Sequence, residues 1–170
     1  LCRVYDGFRS RKTIDCVVRY AQTVLRRYHD LVRYWLTFNE INVTLISPLL
    51  GAGVMTPKRE LTAQDRYQAA HHQLVASALV VKDCHEIIPG SKVGCMLTKL
   101  TTYARTCAPD DELAAQAKNL ENLFYADVHV WGEYPRLIQK MFQRKGITLK
   151  MQPEDAAILK AGCVDFVSFS

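Results

Sequence analysis

The stretch VRYWLTFNE, at residues 32–40, indicates the fold of this chain. Residues 32–38 are rich in aromatic and β-branched side chains and are too few for a typical helix, so we predict a strand there. Because the run is apolar almost throughout, it is typical of a parallel sheet that helices cover. Asn39 and Glu40 follow directly and therefore lie at the carboxyl end of the predicted strand.

Two more short apolar runs lie further along the chain. We predict strands at residues 92–98 (KVGCMLT) and 164–169 (VDFVSF). Long helical segments separate the three runs, and no Asn-Gly or Asp-Gly turn joins any two of them. Strands that alternate with helical connections are typical of parallel βαβ units. We therefore predict an α/β protein with three parallel strands and covering helices.

The helices are predicted from apolar periodicity and from their end signals. Thr62 and Asp65 form a capping box at the start of the longest helix, and Pro89-Gly90 ends it. Its expected inner stripe contains Tyr67, Ala70, His71, Leu74, Val75, Ala78, Val81 and His85. A second long helix starts at Pro109, and its expected inward positions are Leu113, Ala117, Leu120 and Phe124. Shorter helices are predicted at residues 11–28, 135–141 and 153–162.

Length, composition and charge limit the kinds of function. The 170 residues are 49% hydrophobic and 23% charged, which suits one globular domain. The net charge of +5 is spread over short separate clusters rather than one basic stripe, so we predict no nucleic-acid partner. No apolar run is long enough to span a membrane, so we predict no membrane partner. The six cysteines lack a C-x-x-C pair and are interpreted as reduced thiols, which favours a cytoplasmic location.

Glu40 is the strongest candidate for a chemical role. A carboxyl group at the end of a buried parallel strand can be partly desolvated, and a carboxylic acid held protonated can donate a proton to a leaving oxygen. The alternative is that Glu40 caps the next helix or pairs with an arginine. From spacing alone this alternative is favoured, because one carboxylate at a strand end is weak support for catalysis.

Three histidines on the longest predicted helix are candidate metal ligands by residue type. His71, His72 and His85 have no H-E-x-x-H spacing and no carboxylate at ligand distance along the sequence. We interpret them as core or surface histidines and predict no metal site and no cofactor.

The surroundings of Glu40 resemble a known family. Residues 33–42, RYWLTFNEIN, resemble the signature around the fourth strand of glycoside hydrolase family 1. Further segments resemble this family in the same order along the chain, at residues 5–8, 69–82, 92–98, 126–127, 132–135 and 165–170. The resemblance implies a segment of a (β/α)8 TIM barrel, with strands four to six and their helices. Residues 1–170 are then expected to be one incomplete domain, roughly the middle third of such an enzyme.

The family resemblance also implies roles for particular residues. It implies a retaining β-glycosidase with Glu40 as catalytic acid/base and Asn39 as hydrogen-bond donor to the sugar 2-hydroxyl, a contact that strengthens in the transition state. The loop at residues 41–53, together with Thr98 and Lys99, is implied on the aglycone side. The sequence NEIN and the Phe-Ser ending of the last strand resemble the branch that acts on 6-phospho-β-glucosides, the expected substrate class.

A retaining glycosidase also needs a second carboxylate as nucleophile. The family has it in a Glu-Asn-Gly context that does not occur in these residues, and the isolated segment is therefore expected to be inactive. Three parallel strands cannot close a barrel and leave two edges for other chains to pair with. The alternative function is thus a noncatalytic truncated barrel that binds a partner or self-associates, as a homo-oligomer would.

Overall fold

The computed structural model of the protein describes residues 1–170. Its sheet consists of three parallel strands in the order β1 (Tyr34–Leu36), β2 (Lys92–Leu97) and β3 (Phe166–Phe169). The prediction of three parallel strands is confirmed, although β1 is shorter than the predicted run at 32–38. Both β1 and β3 are edges, because each pairs only with β2.

Seven helices connect and cover the strands. They are α1 (Cys2–Tyr5), α2 (Lys12–Tyr28), α3 (Pro48–Ala52), α4 (Ala63–Ile87), α5 (Pro109–Trp131), α6 (Arg136–Arg144) and α7 (Asp155–Ala161). Short 3-10 turns lie at Gly7–Arg9, Ile41–Leu45 and Lys58–Glu60. No helix combines the length and the apolar character that crossing a membrane requires.

Helix α4 is the centre of the core. The predicted capping box is present, since the Thr62 and Asp65 side chains each accept the other residue's backbone N–H. Every residue from 69 to 78 is buried, so the middle of the helix is enclosed on all sides and not along one stripe as predicted. Small residues at the contacts let neighbouring elements approach α4 closely. At Gly162, the residue after α7, an added Cβ would lie 2.1 Å from the Ala78 carbonyl oxygen. His85, predicted on the inner stripe, is exposed.

Helix α5 packs mainly through its second half. Phe124, Tyr125 and Val128 are buried there, whereas Leu113 and Ala117 in the first half are exposed. The prediction that Leu113 and Ala117 face inward was therefore wrong. The periodicity was helical, but periodicity does not show which turns of a helix meet a partner.

The two faces of the sheet differ in their surroundings. Val93 and Cys95 on β2 are buried beneath the helices, and Trp35 packs against the buried cluster that contains Val93. On the other face the ring of Phe166 lies against Gly94, where a Cβ would be 2.4 Å from the ring. Exposed aromatic residues mark both edge strands, with Tyr34 at 72% and Phe169 at 69% of full exposure.

Candidate active site

The carboxyl ends of the three strands meet at one edge of the sheet. Asn39 and Glu40 follow β1, Thr98 and Lys99 follow β2, and Ser170 follows β3. The Ser170 N–H donates to the Leu97 carbonyl at 3.0 Å, and the Lys99 N–H donates to the Ser170 carbonyl at 2.9 Å. The parallel hydrogen-bond ladder thus continues past the strands and brings their following residues together.

Glu40 has an unusual backbone conformation. Its φ of 48° and ψ of 53° are in the left-handed region, which few residues other than glycine adopt. Its carbonyl accepts the Val43 N–H at 2.8 Å and thereby starts the 3-10 turn at Ile41–Leu45. Such a conformation costs on the order of 1 kcal/mol and is often found at functional sites. The side chain is half-buried.

Two hydrogen bonds between side chains link the three strand ends. The Ser170 hydroxyl donates to Glu40 Oε1 at 2.5 Å, and the hydroxyl oxygens of Thr98 and Ser170 are 3.2 Å apart. Because the Ser170 proton is directed at Glu40, Thr98 is the donor to Ser170. Ser170 was not predicted as a site residue, although the rule that identified Glu40, a polar side chain at the carboxyl end of a strand, applies to it equally.

Asn39 and Lys99 present free polar groups at the same edge. Both residues are exposed, and neither side chain forms a hydrogen bond within the chain. The Asn39 amide therefore keeps two N–H donors for a ligand, and the Lys99 ammonium keeps three. All four residues predicted for this site lie within the same group of strand ends.

Asn42 fixes the loop after Glu40 to the end of β2. Its side-chain nitrogen donates to the Thr98 carbonyl at 2.7 Å, and its side-chain oxygen accepts the Thr98 N–H at 3.0 Å. The side chain is buried, with 2% exposure, so water competes little for these bonds. Asn42 therefore sets the distance between the turn that follows Glu40 and the strand end that carries Thr98. It was not predicted as a site residue.

His71 and His72 on α4 have partners within the protein. His71 is buried between the Tyr134 hydroxyl at 2.9 Å and the Asp155 carboxylate at 3.0 Å. Burial lowers the pKa of His71, although Asp155 opposes this effect. His72 lies 2.8 Å from the Phe8 carbonyl oxygen. These contacts join α4 to its neighbours in the fold.

The remaining glutamates lie away from the strand ends. They are in the 3-10 turn at Lys58–Glu60, in α4, in α5, in the loop before α6 and beside the start of α7. Glu121 of α5 is already bound by Tyr67 and Lys145. Among the glutamates, Glu40 alone follows a strand.

Comparison with known proteins identifies a matching family and structures that share the fold. The sequence profile of glycosyl hydrolase family 1 matches residues 1–170. The chain is 48% identical to a 6-phospho-beta-glucosidase of Clostridium longisporum, with 100% of the chain and 36% of the relative covered. It is 49% identical to the 6-phospho-beta-glucosidase AscB of Escherichia coli (strain K12), over 98% of the chain and 35% of the relative. The chain thus spans about a third of the length of these relatives.

Solved structures share the arrangement of strands and helices. The AHE enzyme from Alicyclobacillus herbarius superposes with a TM-score of 0.82 at 23% identity, over 99% of this chain and 38% of that one. A beta-glucosidase from Exiguobacterium marinum gives a TM-score of 0.79 at 23% identity, over 96% of this chain and 37% of that one. At this identity the match demonstrates the shared fold.

Proposed function

This chain belongs to glycosyl hydrolase family 1, and from that premise we propose that the complete polypeptide that carries it hydrolyses 6-phospho-β-glucosides with retention of configuration. The observation that carries the proposal is the position of Glu40, a half-buried carboxylate in a left-handed backbone at the carboxyl end of β1. The substrate class is supported by identities of 44–49% to relatives named as phospho-β-glucosidases.

The three strands and their helices form a segment of a (β/α)8 barrel. In such barrels the loops at the carboxyl ends of the strands form the active face. Asn39, Glu40, Thr98, Lys99 and Ser170 all lie at that face. We propose that residues 1–170 are one incomplete domain, whose remaining strands complete the barrel and the site.

Glu40 is proposed as the acid/base of a two-step reaction. In the first step its carboxyl group protonates the oxygen of the leaving aglycone, and in the second its carboxylate takes a proton from the attacking water. Ser170 donates to Oε1, while Oε2 has no partner within the chain. Oε2 is therefore the oxygen available to exchange the proton with substrate and water.

The neighbouring side chains have proposed binding roles. The free amide of Asn39 donates to the sugar 2-hydroxyl, a bond that strengthens as positive charge develops on the ring. Thr98 and Lys99, with the loop at residues 41–53, line the aglycone side. The nucleophilic carboxylate is proposed to come from outside these residues, so the 170 residues alone are expected to show no turnover on a chromogenic 6-phospho-β-glucoside.

Leaving-group dependence tests the role of Glu40. In the complete polypeptide, Glu40→Gln should lower kcat/KM by about 10²–10⁴ for an alkyl 6-phospho-β-glucoside, which needs protonation of its leaving oxygen. A 2,4-dinitrophenyl 6-phospho-β-glucoside should have a nearly unchanged first step, because this leaving group departs as an anion. Glu60→Gln, an exposed glutamate in a 3-10 turn, is the matched control. Equal slowing of both substrates would contradict the acid role.

A second function, self-association of a noncatalytic part-barrel, is favoured by the exposed edge strands. Tyr34 on β1 and Phe169 on β3 are both largely exposed, and neither strand has an outer partner. Sedimentation of the complete polypeptide separates the two functions when it is combined with the activity assay. An inactive oligomer that Tyr34→Lys dissociates would favour self-association over catalysis.

A further inference from the structure

A cavity lies beside the candidate active site, between several elements of this chain. It has a volume of about 380 Å³ and lies between the 3-10 turn after β1, the start of α4, the loop after β2 and α5. Asn42 and Asn122 are among the residues that line it. None of Asn39, Glu40, Thr98 and Lys99 lines it, although it shares Asn42, Leu45 and Ile46 with the loop proposed on the aglycone side.

Cationic side chains dominate the wall of this cavity. Lys58, Arg66, Lys118 and Lys145 line it, against the single carboxylate of Glu121. Four positive charges and one negative charge leave a net charge of +3 around a confined space. Such clefts concentrate anions because their low-dielectric walls focus the field.

The one carboxylate that lines the cavity already forms hydrogen bonds within the chain. Glu121 Oε1 accepts the Tyr67 hydroxyl at 2.6 Å and the Lys145 ammonium at 2.5 Å, while Oε2 lies 3.7 Å from the Lys118 ammonium. Burial by itself raises the pKa of Glu121, but Lys145 and Tyr67 outweigh it and lower that pKa. Glu121 is therefore ionised near neutral pH and has little capacity to neutralise further cations.

Two of the cations have N–H donors that form no hydrogen bond within the chain. The exposed Lys58 ammonium has no partner within the chain. Arg66 is held by the carbonyls of Leu45 and Thr62, at 3.1 Å from Nη1 and 3.3 Å from Nε, which leaves Nη2 unbonded. A guanidinium held in this way loses little rotamer freedom when it binds a ligand oxygen.

Apolar side chains complete the wall. Leu45, Ile46, Ala63 and Leu100 line the cavity beside the charged groups. We propose that this cavity binds a small organic phosphate monoester, with the phosphate near Lys58, Arg66 and Lys118 and the organic part on the apolar wall. A phosphate dianion matches a surplus of several positive charges and many N–H donors better than a carboxylate monoanion does.

Calorimetric titration of the complete polypeptide with phenyl phosphate tests this site. Phenyl phosphate should bind more tightly than inorganic phosphate, because only the ester has an apolar group for the wall. The double variant Lys58→Gln/Lys118→Gln, at two exposed lysines, should weaken phenyl phosphate binding about tenfold or more. Lys140→Gln on α6, which does not line the cavity, should leave it unchanged.

The comparison of Lys58→Gln/Lys118→Gln with Lys140→Gln separates this site from the proposed active site, because neither exchanged lysine is among the groups proposed to act on the glycoside. Its outcome does not depend on the result of the glycosidase assay. Absence of phenyl phosphate binding, or equal affinity in the double variant and the parent, would overturn the proposal. Inorganic phosphate binding as tightly as the ester would overturn the assignment of the apolar wall.

Discussion

His129 is buried in its uncharged form, and this should make the folded state less stable in mild acid. His129 is on α5 with 5% exposure, and its Nδ1 lies 3.4 Å from the Ser77 hydroxyl. No carboxylate contacts it to favour its charged form. Burial lowers the pKa of His129 from 6.5 to about 4. The imidazole is therefore neutral in the folded protein at a pH at which it is protonated in the unfolded chain.

The size of the effect follows from the two pKa values. Because the unfolded chain binds the proton more tightly, stability is complete above pH 6.5 and falls as the pH decreases toward 4. The full loss corresponds to about 3 kcal/mol, and the part between pH 7 and pH 5 to about 2 kcal/mol. His129→Gln removes this contribution while it keeps a polar group next to Ser77.

Urea unfolding at pH 7, 6 and 5 measures the difference in slope. The complete polypeptide should lose about 2 kcal/mol more between pH 7 and pH 5 than His129→Gln does. His29→Gln, at an exposed histidine, is the control and should keep the slope of the parent. The comparison concerns the slope, so a uniform destabilisation by the substitution does not obscure it. Parallel pH profiles for the parent and His129→Gln would refute the reasoning.

Two further stability predictions follow from buried contacts. Burial by itself raises the pKa of Asp155, but hydrogen bonds led by those from Arg11 lower it to about 2, so its contribution is lost as the pH falls from about 4 to 2. Asp155→Asn should cost about 3 kcal/mol at pH 7 by urea unfolding and should remove this loss of stability at low pH, whereas Glu133→Gln, at an exposed glutamate without an ion pair, should leave the stability at pH 7 unchanged. Gly162→Ala should cost about 3 kcal/mol or more, because its Cβ meets the rigid backbone of α4, whereas Gly94→Ala should cost about 1 kcal/mol, because an aromatic ring can move aside. Similar losses for the two alanine variants would contradict the close approach of α7 to α4.

Local sequence predicted the elements well because their signals are local. The aromatic and β-branched run before Asn39, the capping box at Thr62 and the proline at the start of α5 each act within a few residues. Periodicity was less informative about burial. It predicted one inner stripe for α4, whose middle is enclosed on all sides, and an inward Leu113, which is exposed.

The contacts that build the site could not be predicted from local pattern. Glu40 and Ser170 are separated by 130 positions in sequence, and Asn42 and Thr98 by 56. Both pairs meet only because parallel strands align their carboxyl ends, and the register that aligns them is a property of the assembled sheet. The four cations of the cavity likewise come from four separate segments.

Three independent constraints act on Glu40, and all of them come from within these residues. The 3-10 turn fixes its backbone, the Ser170 hydroxyl holds Oε1, and the amide of Asn42 joins the following turn to the end of β2. A catalytic group is effective when such contacts hold it in place before substrate arrives, because the reaction then requires less reorganisation. In the proposed reaction this segment thus supplies contacts that position the acid/base, whereas the nucleophile depends on the strands that complete the barrel. Loss of the nucleophile should therefore abolish turnover without displacing Glu40.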